Sequence, residues 1–373
     1  MLPRSQEKAL YQALANNKLV LVEGPRFAGK MLLLGAIIQS EKWTLTQVDC
    51  TVKSARKKAG NLSNLCACTD RILLLDEAQF LPNLDEVLEA VMSGQIQSTV
   101  IVSYSFAPKI DELLIEAIKC QGMHFKINAP TFHEAAQHFG LPEEERLLEE
   151  RMIYGNYPSV IDQLDQAETN LNELIEETII TRMNSGGRIN KKQELLHVLA
   201  ILADRIGEPL SYNEIGEYVG LDNETVERYI HFLIGSGILI KLEAFHSEKR
   251  YELKKANLLY FMDNGIRNAI IRNFNPTYLR SDMERLWKNY LVSERKKWID
   301  LNGYENQLYF WRSHSRQQVD IVEIGTDKRA YSLDWIKKKK PKFSKLFMNY
   351  YPDIKLSSVN RSSYWPFLTR KNK

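Results

Sequence analysis

Lys18-Leu19-Val20-Leu21-Val22-Glu23-Gly24-Pro25-Arg26-Phe27-Ala28-Gly29-Lys30-Met31-Leu32-Leu33-Leu34-Gly35-Ala36-Ile37-Ile38 decides the fold. An apolar run with strand character, Lys18–Glu23, enters a loop spaced G-x-x-x-x-G-K, and an apolar helix follows near 31–42. Glycines let such a loop wrap tightly, so that successive backbone N–H groups point at phosphate oxygens. The following helix adds its unpaired N-terminal amides and the positive end of its dipole. Lys30 adds a full positive charge for the β- and γ-phosphates. Gly24, Pro25, Arg26, Phe27, Ala28, Gly29, Lys30 and Met31 are the expected nucleotide-binding set, with ATP the expected ligand. The competing interpretation is an ordinary glycine turn.

Met31 breaks the pattern. The motif carries Ser or Thr there because the hydroxyl ligates Mg²⁺. A thioether is a soft ligand and a poor one for a hard cation. Phosphate contacts through backbone amides are unaffected, whereas fast hydrolysis is put in doubt. The other half of the expected site is Ile72-Leu73-Leu74-Leu75-Asp76-Glu77, an apolar strand ending in two acids. Asp76 is the expected Mg²⁺-holding residue, acting through water, and Glu77 the residue that positions an attacking water. A solvated strand end would read the same way in isolation.

Around this core, residues 1–130 alternate apolar runs with helical patterns, as parallel βαβ units do. Strands are predicted at Lys18–Glu23, Thr44–Val48, Arg71–Leu75, Ser98–Ser103 and His124–Ile127, with helices near 31–42, 84–96 and 108–120. None of the strands alternates cleanly in apolarity, as expected of strands covered on both faces. Residues 131–205 read as helical. Residues 192–245 read as helix, helix, turn, helix and hairpin, a winged-helix pattern in which Asn223 caps the third helix and Arg250–Leu253 forms the second wing strand. Residues 256–373 look mixed α/β, with a helix near 282–299 and strands near 308–312, 317–323 and 329–335.

The net charge of +3 hides an asymmetry: residues 280–373 carry 21 Lys and Arg against 10 Asp and Glu, and the other 279 residues carry 29 against 37. The basic end has two candidate partners, nucleic acid and the acidic half of its own chain. Cys50, Cys66, Cys68 and Cys120 show no metal-ligand spacing and are too few for a disulfide framework. No apolar run reaches the ~18 residues that span a bilayer, and residues 1–8 have no secretory apolar core. A cytoplasmic protein with reduced thiols and no membrane contact is expected.

The chain resembles a bacterial and archaeal AAA-type ATPase family that joins an ATPase domain, a winged helix and a C-terminal domain related to PD-(D/E)xK nucleases. Gly24-Pro25-Arg26 through Lys30 looks like its GPR-x-x-GKT loop, and Asp76-Glu77-Ala78-Gln79-Phe80-Leu81-Pro82-Asn83 is similar to its D-E-x-Q-x-x-P signature. Val100–Ser105 falls at its sensor strand, so the resemblance implies that Ser105 senses the γ-phosphate; Tyr104 replaces the usual glycine before it. Gly155-Asn156-Tyr157-Pro158, Tyr260-Phe261-Met262-Asp263-Asn264-Gly265, Leu286-Trp287-Lys288-Asn289-Tyr290 and Phe310-Trp311-Arg312 also match. The arginine that the family often presents to a neighbouring subunit is replaced by Met123 after Gly122, leaving Arg26 as the nearest substitute.

The resemblance implies an α/β architecture: a P-loop NTPase domain of AAA type with a parallel sheet over 1–130, a helical lid over 131–190, a winged helix over 191–253 and a nuclease-like domain over 254–373. The nuclease set is incomplete. Asp320 matches its first acid, but Ser332 and Asp334 occupy the acid and lysine positions, and Lys288 stands where the family has Glu. The helix beginning Asp222-Asn223-Glu224-Thr225-Val226-Glu227-Arg228-Tyr229 is too acidic for a DNA-reading helix, which suits contact between domains or self-association. Lys337-Lys338-Lys339-Lys340 is the better candidate for nucleic-acid contact. Three functions stay open at this point: an ATP-binding switch with weak or absent hydrolysis and no nuclease activity, a competent ATPase acting on nucleic acid through the basic end, and a scaffold that has lost nucleotide. A homo-oligomer or a protein partner is compatible with each.

Overall fold

The computed structural model describes residues 2–106, 108, 112–120, 123–184, 192–246, 257–336 and 343–370. Two compact units result: Met1–Pro130 with Glu176–Arg188 and Gly235–Gly237, and the remainder of the chain. Among the described residues no helix is long and apolar enough to cross a membrane. Cys50, Cys66 and Cys68 are free thiols.

The first unit is a five-stranded, wholly parallel sheet of β1 (Leu19–Glu23), β2 (Leu45–Asp49), β3 (Ile72–Asp76), β4 (Thr99–Tyr104) and β5 (His124–Lys126), ordered β2-β3-β4-β1-β5. Alternate residues of β1, β3 and β4 feed two cores. Leu19, Leu21, Leu73, Leu75, Val100 and Val102 pack with the helix Leu84–Met92. Val20, Val22, Ile72, Leu74 and Ile101 pack with the helices Glu7–Asn16 and Lys30–Ser40. That explains the unbroken Ile72-Leu73-Leu74-Leu75 run, since a strand covered on both faces has no polar side. β2 departs from the expectation of no alternation: Leu45, Gln47 and Asp49 are exposed while Thr46 and Val48 are half-buried. It lies at the sheet edge, where one face reaches solvent. Parallel strands bring all their carboxyl ends to one edge, where open α/β sheets place their sites. Glu23, Asp76 and Tyr104 therefore end at the same edge.

The second unit holds helices and a six-stranded sheet of β6 (Leu239–Ala244), β7 (Asn257–Phe261), β8 (Gln307–Arg312), β9 (Gln318–Ile324), β10 (Lys328–Leu333) and β11 (Lys355–Val359), ordered β11-β10-β9-β8-β6-β7. β10 runs parallel to β11 and β6 to β8; the other neighbours are antiparallel. Two local expectations are corrected. The helix Asn223–Gly235 is capped one residue earlier than predicted, because the Asp222 carboxylate accepts from Thr225 N at 2.8 Å and from its hydroxyl at 2.8 Å. The hairpin strand β6 pairs with β7, and it also joins the larger sheet through Glu243↔Tyr309 and Ala244↔Phe310. Residues 250–253, 185–187 and 337–340 lie outside the described residues.

The motif segments of this unit tie one another together. Asp263 accepts from Asn156 N at 2.8 Å and from Gly265 N at 2.8 Å, capping the helix Asn264–Ile270. Gly155 has φ +77°, and a Cβ on it would fall 1.8 Å from Asp263 Oδ1. Asn289 closes a two-way contact with β7, accepting from Phe261 N at 2.6 Å and donating to Phe261 O at 3.0 Å. Buried backbone groups need partners, and these polar motif residues supply them.

Candidate nucleotide site

The loop between β1 and the helix Lys30–Ser40 has the shape that an anion requires. Gly29 takes φ 97°, in the left-handed region open to glycine, and is the helix N-cap. The first i→i−4 bond of the helix is Leu33 N to Gly29 O at 3.0 Å, so the preceding amides of Lys30, Met31 and Leu32 precede the ladder and face the loop end. Gly24 lies against the chain after β5: a Cβ there would sit 1.9 Å from Ile127 O. Lys30 is 5% exposed, and its Nζ donates to Gly24 O at 2.7 Å and Pro25 O at 3.1 Å. Burial lowers the Lys30 pKa, and the charges of Glu77 and Asp76 oppose that shift. A buried cation among neutral carbonyls and two acids is suited to an anionic ligand, which would stabilise its charge.

At the end of β3, Glu77 is 7% exposed and takes φ 50°, a left-handed position outside the glycines. Its Oε2 accepts from Ser105 Oγ at 2.6 Å and from Gln79 Nε2 at 2.5 Å, and Gln79 also donates to Ser105 at 3.3 Å. Arg26 reaches the other oxygen, with Nη1 3.7 Å from Glu77 Oε1, while its Nη2 lies 3.3 Å from Glu177 Oε2. Asp76 Oδ1 accepts from Glu77 N at 3.0 Å. Burial, and then the charge of Glu77, raises the Asp76 pKa above the carboxylate value of 3.8. Glu77, Ser105, Asp76, Lys30 and Arg26 lie within one unit, with Ser105 and Arg26 against the two oxygens of Glu77.

The remaining expected residues have other surroundings. Phe27 is 42% exposed under the Arg26 guanidinium, at 5.3 Å from its ring centre. Ala28 is wholly buried, and Met31 packs against the core that includes Leu33, Leu34 and Leu10. Arg26 bonds acids of its own chain in this structure. Tyr104, in the position of the missing glycine, is buried, and its hydroxyl lies 3.1 Å from His124 Nε2, which is 3.1 Å from Glu23 Oε2. Gln79, Arg4 and Glu177 were not assigned a role from sequence. Gln79 is visible inside its motif, two residues from Glu77, but only the fold brings it to Ser105. Arg4 carries no local signal; its guanidinium donates to Ala28 O at 3.1 Å and Asn128 O at 2.6 Å, pinning the loop to the segment after β5.

In the second unit the expected nuclease position carries an ion pair. Lys288 Nζ lies 2.7 Å from Asp320 Oδ1, and Asp320 Oδ2 accepts from Leu333 N at 2.8 Å. Ser332 Oγ donates to Asp334 Oδ2 at 3.1 Å.

The loop, strand order and acid strand define a P-loop NTPase fold. A domain of unknown function, DUF8612, matches residues 145–277. No curated protein matches the sequence. Solved structures similar to the chain include a Walker-type ATPase of Pyrococcus abyssi, at 14% identity and TM-score 0.46, covering 73% of this chain and 96% of that one. A RuvB variant of Thermotoga maritima follows at 17% identity and TM-score 0.37, covering 63% and 87%. The replication initiator DnaA bound to AMPPCP and single-stranded DNA has 15% identity and TM-score 0.30, covering 61% and 86%.

Proposed function

We propose that the chain binds ATP as a nucleotide-dependent switch, with weak or absent hydrolysis. The observation that carries this reading is Lys30, a buried ammonium at the loop and helix N-terminus whose Nζ donates to the backbone carbonyls of Gly24 and Pro25. The phosphates would take the loop amides and Lys30 as donors. Such contacts need no hydroxyl at position 31. Magnesium, when bound, would neutralise charge on the phosphate oxygens, and Asp76 is the side chain suited to it. Met31 offers no oxygen and its side chain is engaged with the core, so the donor set is short by one hard ligand. Glu77 and Ser105 would position water and report the γ-phosphate.

The switch reading is supported by what Glu77 already holds. One oxygen is bonded to Ser105 and Gln79, and the other faces Arg26, which also pairs with Glu177. Displacing Arg26 towards a phosphate would free both acids at once, coupling ligand binding to the segment that carries Glu177. The same contacts keep Glu77 from acting as a free base. For the C-terminal domain we infer a nuclease-like fold without cleavage activity, supported by the Lys288 ammonium on Asp320. A partner for that domain, nucleic acid or protein, and self-association are further proposals that the charge asymmetry favours. Thermal unfolding with ATP, ADP and Mg²⁺ tests the central reading, since a ligand of the native state raises the midpoint. A midpoint that ignores all three would leave a nucleotide-free scaffold.

A further inference from the structure

The second unit carries a basic cleft of about 540 Å³. One wall is the end of the helix Lys192–Asp204 and the turn after it, with Arg205 and Glu208; the other is the β8–β9 turn, with Arg312, His314, Arg316 and Gln318. The volume falls in the range of small-ligand pockets, roughly 300–1,000 Å³. Its one acid is already committed. Glu208 pairs with Arg205 at 3.1 Å and with Arg285 at 3.1 Å. Arg312 has a buried Nε with no hydrogen-bond partner among the described residues. Buried donors are normally satisfied, so this unpaired Nε marks Arg312, a cleft-lining residue, as a guanidinium whose donors the described residues do not use up.

The turn is shaped in an unusual way. Ser313 N donates to Gln317 O at 2.9 Å and Arg316 N to Ser313 O at 3.0 Å, closing a short hairpin. Its left-handed position, φ 63°, is occupied by Arg316 rather than by glycine or asparagine. Glycine would fit that backbone with less strain, so an arginine lines the cleft at a position where the local backbone favours glycine. Planar guanidinium forks match phosphate oxygens two at a time.

We propose that this cleft is a phosphate-binding site, taking either a free phosphate or pyrophosphate group or a phosphodiester of a nucleic acid. Arg312 and Arg316 are its principal donors, with His314 beside them.

The test uses full-length Lys30→Ala protein, which separates the cleft from the nucleotide loop. Pyrophosphate binding is followed by calorimetry, and a labelled DNA duplex by anisotropy at two salt concentrations. Arg316→Gly keeps the left-handed turn, and Arg312→Gln keeps most of the side-chain volume; each should retain the parent unfolding midpoint and weaken binding at least ~10-fold. Pyrophosphate binding alone identifies a free phosphate as the ligand. Duplex binding that weakens with salt and with both substitutions identifies the polymer. Affinity for neither, or affinity that both folded variants retain, overturns the proposal. Nucleotide binding by otherwise wild-type protein is scored separately, so loss of either site leaves the other judged on its own data.

Discussion

Met31→Thr is the substitution that most directly asks why this loop would be slow. In the structure Met31 is half-buried against the core that includes Leu10, Leu33 and Leu34. Losing its thioether contacts should cost about 1 kcal/mol, roughly half of the ~1.5–3 kcal/mol for a fully buried side chain. Threonine in a helix adds a few tenths of a kcal/mol against methionine. The unfolding midpoint should therefore fall slightly, by roughly 1–2 °C for a chain of this size. In exchange, the hydroxyl supplies the hard oxygen that the site lacks, beside Asp76 and Glu77. Correctly placed metal acts on charge that develops in the transition state, so the rate should rise more than the affinity. We expect single-turnover hydrolysis at saturating Mg-ATP to rise at least ~10-fold, which is ~1.4 kcal/mol of barrier. Equal rates in a folded variant would refute the argument and shift attention to Arg26 on Glu77, or to Tyr104 at the end of β4.

Other outcomes follow from the same geometry. Gly24→Ala places a Cβ 1.9 Å from Ile127 O, so it should cost at least ~2 kcal/mol of stability in urea unfolding and weaken nucleotide binding; a neutral variant would mean that the loop and β5 are not packed as described. The Asp76 carboxyl has a raised pKa in the folded chain, so its proton favours folding below 3.8 and that contribution is lost as pH rises through the raised value. Asp76→Asn should consequently gain stability relative to wild type as pH rises above 3.8, and a pH-independent difference would contradict the burial argument. No metal-dependent cleavage of DNA or RNA is expected with Lys288 on Asp320; cleavage that vanishes in Asp320→Ala would show the site to be live.

The parts of the site legible in the sequence were those whose chemistry is local in the chain. Gly24, Gly29 and Lys30 announce themselves because one loop must supply both tight curvature and charge, and Asp76-Glu77 because two acids interrupt an apolar run at the end of a strand. Arg4, Gln79 and Glu177 were not legible as site residues: their contacts with Asn128, Ser105 and Arg26 span 124, 26 and 151 positions, and nothing local to each residue encodes those partners. The same distinction holds for the fold. Doubly covered strands show as unbroken apolar runs, but the pairing of β6 with both β7 and β8 depends on partners far along the chain. Asp222 and Asn223 are both good caps, and only the backbone decides that Asp222 takes the role. The D-N-G, G-N-Y-P and W-K-N motifs were visible as matches, while their work as hydrogen-bond ties between segments emerged from the folded chain.

The central claim is that Lys30 and its loop hold a nucleoside triphosphate. Calorimetric titration of ATP into wild-type and Lys30→Ala protein, with unfolding midpoints taken alongside, tests it most directly. Removing the side chain deletes the one full positive charge that Nζ brings to Gly24 and Pro25, while the helix and strand cores remain. Saturable ATP binding by wild type, lost or weakened at least ~100-fold in a variant that melts within a few degrees of it, is the predicted result. Equal affinity in a folded Lys30→Ala protein, or no binding by wild type, would contradict the account.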